Sequence, residues 1–130
     1  IEHGRHVPLL VKLSPDLTDE DLTATARIIA SLGIEGVIAT NTTIRRPGLD
    51  GHPLAGEQGG LSGTPLLELS LGAVRRLRAE LGARVVIIGV GGIDSVPAAR
   101  AMLAAGADLI QVYTGLVYRG PRLVRELASL

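Results

Sequence analysis

Val85-Val86-Ile87-Ile88-Gly89-Val90-Gly91-Gly92-Ile93-Asp94-Ser95 is an aliphatic run that breaks on glycines and ends on a residue suited to cap a helix. An apolar run without polar alternation suits a strand buried on both faces, as in a parallel sheet covered by helices. Ser95 then opens a pattern through Ala98, Ala99, Met102 and Leu103 that Gly106 can stop. Strand, glycine turn and helix make one βα unit, and the rest of the chain repeats it. Similar apolar runs lie at Val7 to Leu13, Gly36 to Ala39 and Leu109 to Val112. Thr18-Asp19-Glu20-Asp21 reads as a helix start, with Thr18 accepting from a free backbone N–H and acids at the positive helix end. Leu22, Ala26 and Ile29 give that helix one apolar stripe, and Gly33 its stop. Another helix starts near Pro65, carries Leu67, Leu71, Val74, Leu77 and Leu81, and ends at Gly82; a short last one covers about Pro121 to Leu127. The order β-α-β-loop-α-β-α-β-α predicts an α/β fold with parallel, right-handed crossovers.

Strand starts near 9, 37, 85 and 109 leave one unit about 20 residues longer than its neighbours. The excess is the Gly- and Pro-rich loop from Thr42 to Thr64, either a lid or binding loop or a surface excursion. Repeated βα units build an open doubly wound sheet or a closed (β/α)₈ barrel, and the pattern alone does not choose. A barrel needs about 250 residues, so these 130 would form about half of one. A half barrel exposes two strand edges and an apolar inner face, which fits a mean hydropathy of +0.35.

Composition narrows the function. Lys and Arg total 13 against 13 Asp and Glu, which gives no electrostatic case for nucleic acid or an anionic membrane. The absence of Cys removes disulfides, thiolate metal sites and a cysteine nucleophile. No apolar run approaches the roughly 18 residues of a spanning helix. Ile1-Glu2-His3-Gly4-Arg5-His6 lacks the order of a signal peptide, and a start without Met, close to a strand, suggests a piece of a longer chain.

The polar residues that stand out fall where strands end, the edge at which parallel βα folds build sites. Lys12 sits in the run Pro8 to Pro15. A cation in a buried strand needs an anionic or electron-rich partner, in a ligand or in a structural ion pair, unless it snorkels to water. Thr40-Asn41-Thr42-Thr43 follows the second strand; its hydrogen-bonding groups suit an imide or a carboxylate-bearing heterocycle, and equally a turn. Gly59-Gly60-Leu61-Ser62-Gly63 closes the long loop, where glycine backbone lets a ligand approach. Gly89 to Ser95 joins the third strand to a helix N-terminus, and with Tyr113-Thr114-Gly115 after the fourth strand its glycine-turn N–H groups and helix dipole make a phosphate cradle. It is not a dinucleotide fingerprint, since Asp94 stands where a third glycine would be required. There is no P-loop lysine and no H-E-x-x-H, and His3, His6 and His52 lie away from the strand ends, so no metal site is expected.

Taken together, Val11 to Asp16, Gly36 to Thr43, Gly59 to Gly63, Ile88 to Ile93 and Val112 to Gly115 resemble, in order and spacing, the C-terminal half of the quinone-dependent (class 2) dihydroorotate dehydrogenases. The resemblance implies an FMN-binding (β/α)₈ barrel, with residues 1–130 as a partial barrel domain supplying its fifth to eighth strands. It implies Lys12 beside the flavin ring, where a cation stabilises the charge of the reduced flavin, and Thr40 as a flavin contact. It pairs Asn41 with Thr42 on the orotate ring, gives Gly63 and Gly92 backbone contacts to FMN, and places Tyr113 and Thr114 around its phosphate. The implied reaction oxidises dihydroorotate to orotate in pyrimidine synthesis, with a quinone reoxidising the flavin at the cytoplasmic or inner membrane. The family's catalytic serine base and its quinone-admitting helices fall in the other half. Ser14 and Ser62 match no catalytic position, so little turnover is expected of this chain alone. Two other readings remain: a different phosphate-binding barrel enzyme, such as an isomerase or synthase, and a non-catalytic half barrel that self-associates through bare strand edges.

Overall fold

Thr18 stays extended and its Oγ1 accepts from the N–H of Asp21 at 3.1 Å, which starts α1 (Asp19–Leu32); Gly33, left-handed at φ 68°, ends it. In a computed structural model, which describes Gly4 and residues 6–130, α1 lies between β1 (Leu10–Leu13) and β2 (Gly36–Ala39). The long loop follows, then a 3₁₀ turn at Thr64–Leu66 leading into α2 (Leu67–Leu81). Beyond it come β3 (Val86–Val90), α3 (Val96–Ala104), β4 (Leu109–Gln111), α4 (Thr114–Arg119) and α5 (Pro121–Leu127). The four strands pair in parallel and their spatial order is the chain order, β1-β2-β3-β4.

The register sorts the side chains. Val11, Val37 and Ile87 share one row and face the helices, with Val37 and Ile87 fully buried. They meet Leu22, Ala26 and Ile29 of α1, Leu71, Val74 and Leu77 of α2, and Met102 of α3 in one core. The next row, Lys12, Ile38, Ile88 and Leu109, turns to the other face. That face carries no helix, so Leu109 is 58% and Val86 43% exposed. Burial on both faces, expected from the unbroken apolar runs, is therefore replaced by one covered and one open face. Among the described residues no helix is long and apolar enough to cross a membrane.

Two elements differ from the sequence reading. The first strand begins at Leu10, not Val7, because Pro8 has no N–H to give to a ladder and the N–H of Leu9 goes to the Glu35 carboxylate at 2.8 Å. The helix α4 was not anticipated, since Val117 and Tyr118 are 73% and 85% exposed and leave no apolar stripe to read. Ser95 does precede α3, and its backbone carbonyl accepts from Ala99, but its side chain makes no cap bond.

Candidate functional site

The C-terminal ends of the four strands open on one cleft of about 410 Å³, within the range of small-molecule sites. Lys12, Thr40, Asn41, Thr42, Gly63, Gly92, Tyr113 and Thr114 all line it, although they come from four strand ends and the returning loop. Ser62, given no role in the sequence, lines it as well, as do Val90 and Ile93 of the glycine turn and Gln111, which no motif contained. Gln111 had a legible signal: it is the polar break in an apolar run, two residues after Leu109 and so on the same face.

Lys12 is exposed on the open sheet face, and among the described residues no carboxylate lies within ion-pair distance of it. Among the described residues no internal ion pair holds it, and its ammonium faces the cleft side of the sheet. Thr40 is instead a buried wall. Its N–H donates to Val90 O at 2.8 Å and its Oγ1 shares a 2.9 Å hydrogen bond with Ser70 Oγ of α2. Asn41 combines the two readings of its segment: its N–H donates to Leu13 O at 2.7 Å and its Oδ1 accepts from the Thr42 N–H at 3.0 Å. That is turn chemistry, and it leaves the side-chain amide N–H groups of an exposed residue to a ligand.

Gly92 has φ 75°, and a Cβ there would lie 2.6 Å from Leu67 Cα. The glycine is required for α2 to start against the turn that follows β3. Among the described residues the backbone N–H groups of Gly92 and Thr114 donate to no protein acceptor, while Thr114 Oγ1 donates to Ser62 Oγ at 2.9 Å and ties β4's end to the loop. An anion with several oxygens suits such a donor set, and an electron-rich ring beside it suits the ammonium of Lys12.

The opposite rim of the sheet is closed by ion pairs. The backbone N–H of Leu9 holds the Glu35 carboxyl below its ordinary range, with His6 adding to the effect. At Asp108 the N–H of Ile87 does the same, helped by Arg78. Of the histidines, His6 is thus a surface partner of Glu35, His52 caps its own turn by accepting from Leu54 N–H at 3.1 Å, and His3 lies outside the described residues.

A family model described as dihydroorotate dehydrogenase matches residues 1–129. The chain belongs to the dihydroorotate dehydrogenase family. It is 58% identical over 128 residues to a dihydroorotate dehydrogenase (quinone) of Xanthomonas oryzae pv. oryzae, covering 98% of this chain and 36% of that protein. Against the Xylella fastidiosa protein of the same name the identity is 55% over 125 residues, covering 96% and 36%. A crystal structure of the Eimeria tenella dehydrogenase in complex with ferulenol superposes with a TM-score of 0.91 at 38% identity, over 98% of this chain and 34% of that one. The chain thus spans about a third of the length of the relatives it matches. The parallel four-stranded sheet with helices on one face is part of a (β/α)₈ barrel.

Proposed function

We propose that this chain is a partial barrel domain that supplies the FMN site and part of the orotate site of a dihydroorotate dehydrogenase using a quinone as electron acceptor. The observation that supports it is the meeting of eight residues from five separate segments in one cleft, with Lys12 unpaired among the described residues and N–H donors at the far end. Lys12, Thr40, Gly63, Gly92, Tyr113 and Thr114 would hold FMN. Bound there, FMN supplies a two-electron acceptor for the oxidation of dihydroorotate to orotate, a step of pyrimidine synthesis.

The chain's own residues divide the labour by chemistry. Thr114 with the Gly92 turn presents donors to phosphate, Lys12 sets a positive charge by the flavin ring, and Thr40, held by Ser70, shapes the wall between them. Asn41 and Thr42, next to that wall, offer amide and hydroxyl groups to the substrate's ring. None of these residues is proposed as the base that takes the substrate's proton. That group, the quinone site and attachment to the membrane surface are assigned to the remainder of a full-length enzyme.

An FMN titration of the chain, followed by flavin absorbance and fluorescence, tests the reading. Saturable binding is expected, weakened about tenfold, or about 1.4 kcal/mol, by Lys12→Ala. If FMN binds neither this chain nor the full-length enzyme, the reading fails.

A further inference from the structure

The long loop has no helix or strand of its own beyond one antiparallel bridge, Thr43 with Leu61, whose two N–H···O bonds measure 3.1 and 2.8 Å. At the bridge its outgoing and returning limbs run side by side. A Cβ on Gly60 would lie 2.0 Å from Thr42 Oγ1, so the returning limb is packed directly under a substrate-side residue. Two residues later that limb delivers Ser62 and Gly63 to the cleft. Beyond the bridge that limb has its own anchor, Ser62 Oγ accepting from Thr114 Oγ1 at 2.9 Å, so a loosening of the limbs falls on Thr42 rather than on Gly63.

One side chain joins the limbs away from the bridge. Arg46 Nε donates to Ala55 O at 3.2 Å, and Nη2 donates to Glu57 O at 2.9 Å and Gly59 O at 2.8 Å, all on the returning limb. Nη1 reaches Thr43 O, Ile44 O and Arg45 O at 3.4, 3.0 and 3.1 Å on the outgoing limb. Among the described residues Arg46 has no carboxylate partner; its whole donor fork is spent on backbone carbonyls. Only a planar guanidinium with five N–H groups can serve two limbs at once, whereas a lysine ammonium is a point donor. Its neighbour Arg45 has a different task, pairing at 3.4 Å with Asp16, which also accepts from Ile44 N–H at 2.8 Å. Asp16 fastens the loop to the barrel, and Arg46 fastens the loop to itself.

We propose that Arg46 is a positioning residue for the substrate side of the cleft, fixing Thr42 against Gly60 by bridging the two limbs of the loop. The proposal rests on the dehydrogenase reading for its consequence in turnover, and on the loop geometry alone for its structural part. Arg46 contacts the cleft only through what it holds, so its loss acts on how well the substrate is placed rather than on the flavin.

The test compares Arg46→Lys with Arg45→Ala, a loss of charge in the same loop without loss of the bridge, in the flavin-loaded full-length enzyme. Arg46→Lys is expected to raise KM for dihydroorotate about tenfold, since small misplacements in a site carry large penalties, with flavin content unchanged; Arg45→Ala leaves KM within about twofold. A purely structural role would lower the folded, flavin-bound fraction and leave KM of the survivors unchanged, and that result overturns the proposal. Amide hydrogen exchange at Thr43 and Leu61 gives an answer independent of activity. Arg46→Lys should speed it about tenfold or more relative to Ile87 in the core, and unchanged exchange would equally overturn the proposal. If the unsubstituted enzyme oxidises no dihydroorotate, the functional reading falls, while exchange still decides the role of Arg46 in the loop.

Discussion

The two rims of this sheet are built from the same kinds of residue and put them to opposite uses. At the N-terminal rim Arg78 donates to Gly106 O at 2.8 Å and Val85 O at 3.3 Å, and also to Gly82 O and Asp108, whose carboxylate accepts from Ile87 N–H at 2.8 Å. Glu35 likewise accepts from Leu9 and pairs with His6. At the C-terminal rim Lys12 has no anion among the described residues, and Asn41 and Tyr113 are exposed beside glycine turns. Polar groups that satisfy one another hold elements together. Polar groups gathered in a cleft without partners are left for a ligand, and this division matches the separation of stability and catalysis between the two ends of barrel folds.

The sharpest way to break that contrast is to disable one rim and measure both properties. Arg78→Ala removes a side chain that is only 23% exposed and strips three carbonyls of a donor. A stability loss of about 1–3 kcal/mol is expected, read as a lower denaturant midpoint, with FMN affinity unchanged in the folded protein. Lys12→Ala should do the reverse, lowering FMN affinity about tenfold while stability stays within about 0.5 kcal/mol of the original, as for an exposed residue with no ion-pair partner among the described residues. Equal effects of the two changes on both readouts would erase the distinction. Between these extremes lies Thr114→Ala, which loses the 2.9 Å bond to Ser62. It should weaken FMN binding by a few-fold, roughly the worth of one neutral hydrogen bond.

How much of this was legible in the sequence depends on the range of the signal. The helix start at Thr18 and the stop at Gly33 need only neighbours, and the chain adopts both. The stripe Leu22, Ala26 and Ile29 names its own buried face. The polar residues at strand ends were readable because parallel βα repeats place strand ends together, which is why residues as distant as Lys12 and Thr114 share a cleft. What escaped depends on contacts between distant parts. Nothing near Arg46 shows that its fork will span from Thr43 to Gly59, and nothing near Ser70 shows that a helix serine will hold Thr40. The exposure of Lys12 was also hidden, since an unbroken apolar run looks the same whether its second face meets a helix or the interior of a barrel.

The smallest effect expected concerns acid. The Asp108 carboxyl is held below its unfolded value, chiefly by the Ile87 N–H and then by Arg78. A group whose folded pKa is depressed binds its proton more readily when unfolded, so its stabilisation is complete above the unfolded value, near 4. It is lost as pH falls through the folded value below that. Asp108 is half exposed, and solvent screening keeps the ion-pair part of its contribution small, at most about 1 kcal/mol. The stability gap between the original protein and Asp108→Asn should therefore be open at pH 7 and close between about pH 5 and pH 2. Thr114→Ala, which changes no titratable group, should run parallel to the original protein across the same interval. Denaturant midpoints measured along that pH series decide it: a gap that stays constant for Asp108→Asn would mean that its carboxylate charge contributes nothing, and that beside Asp108 the rim is held by the Arg78 contacts to the carbonyls of Gly106, Gly82 and Val85.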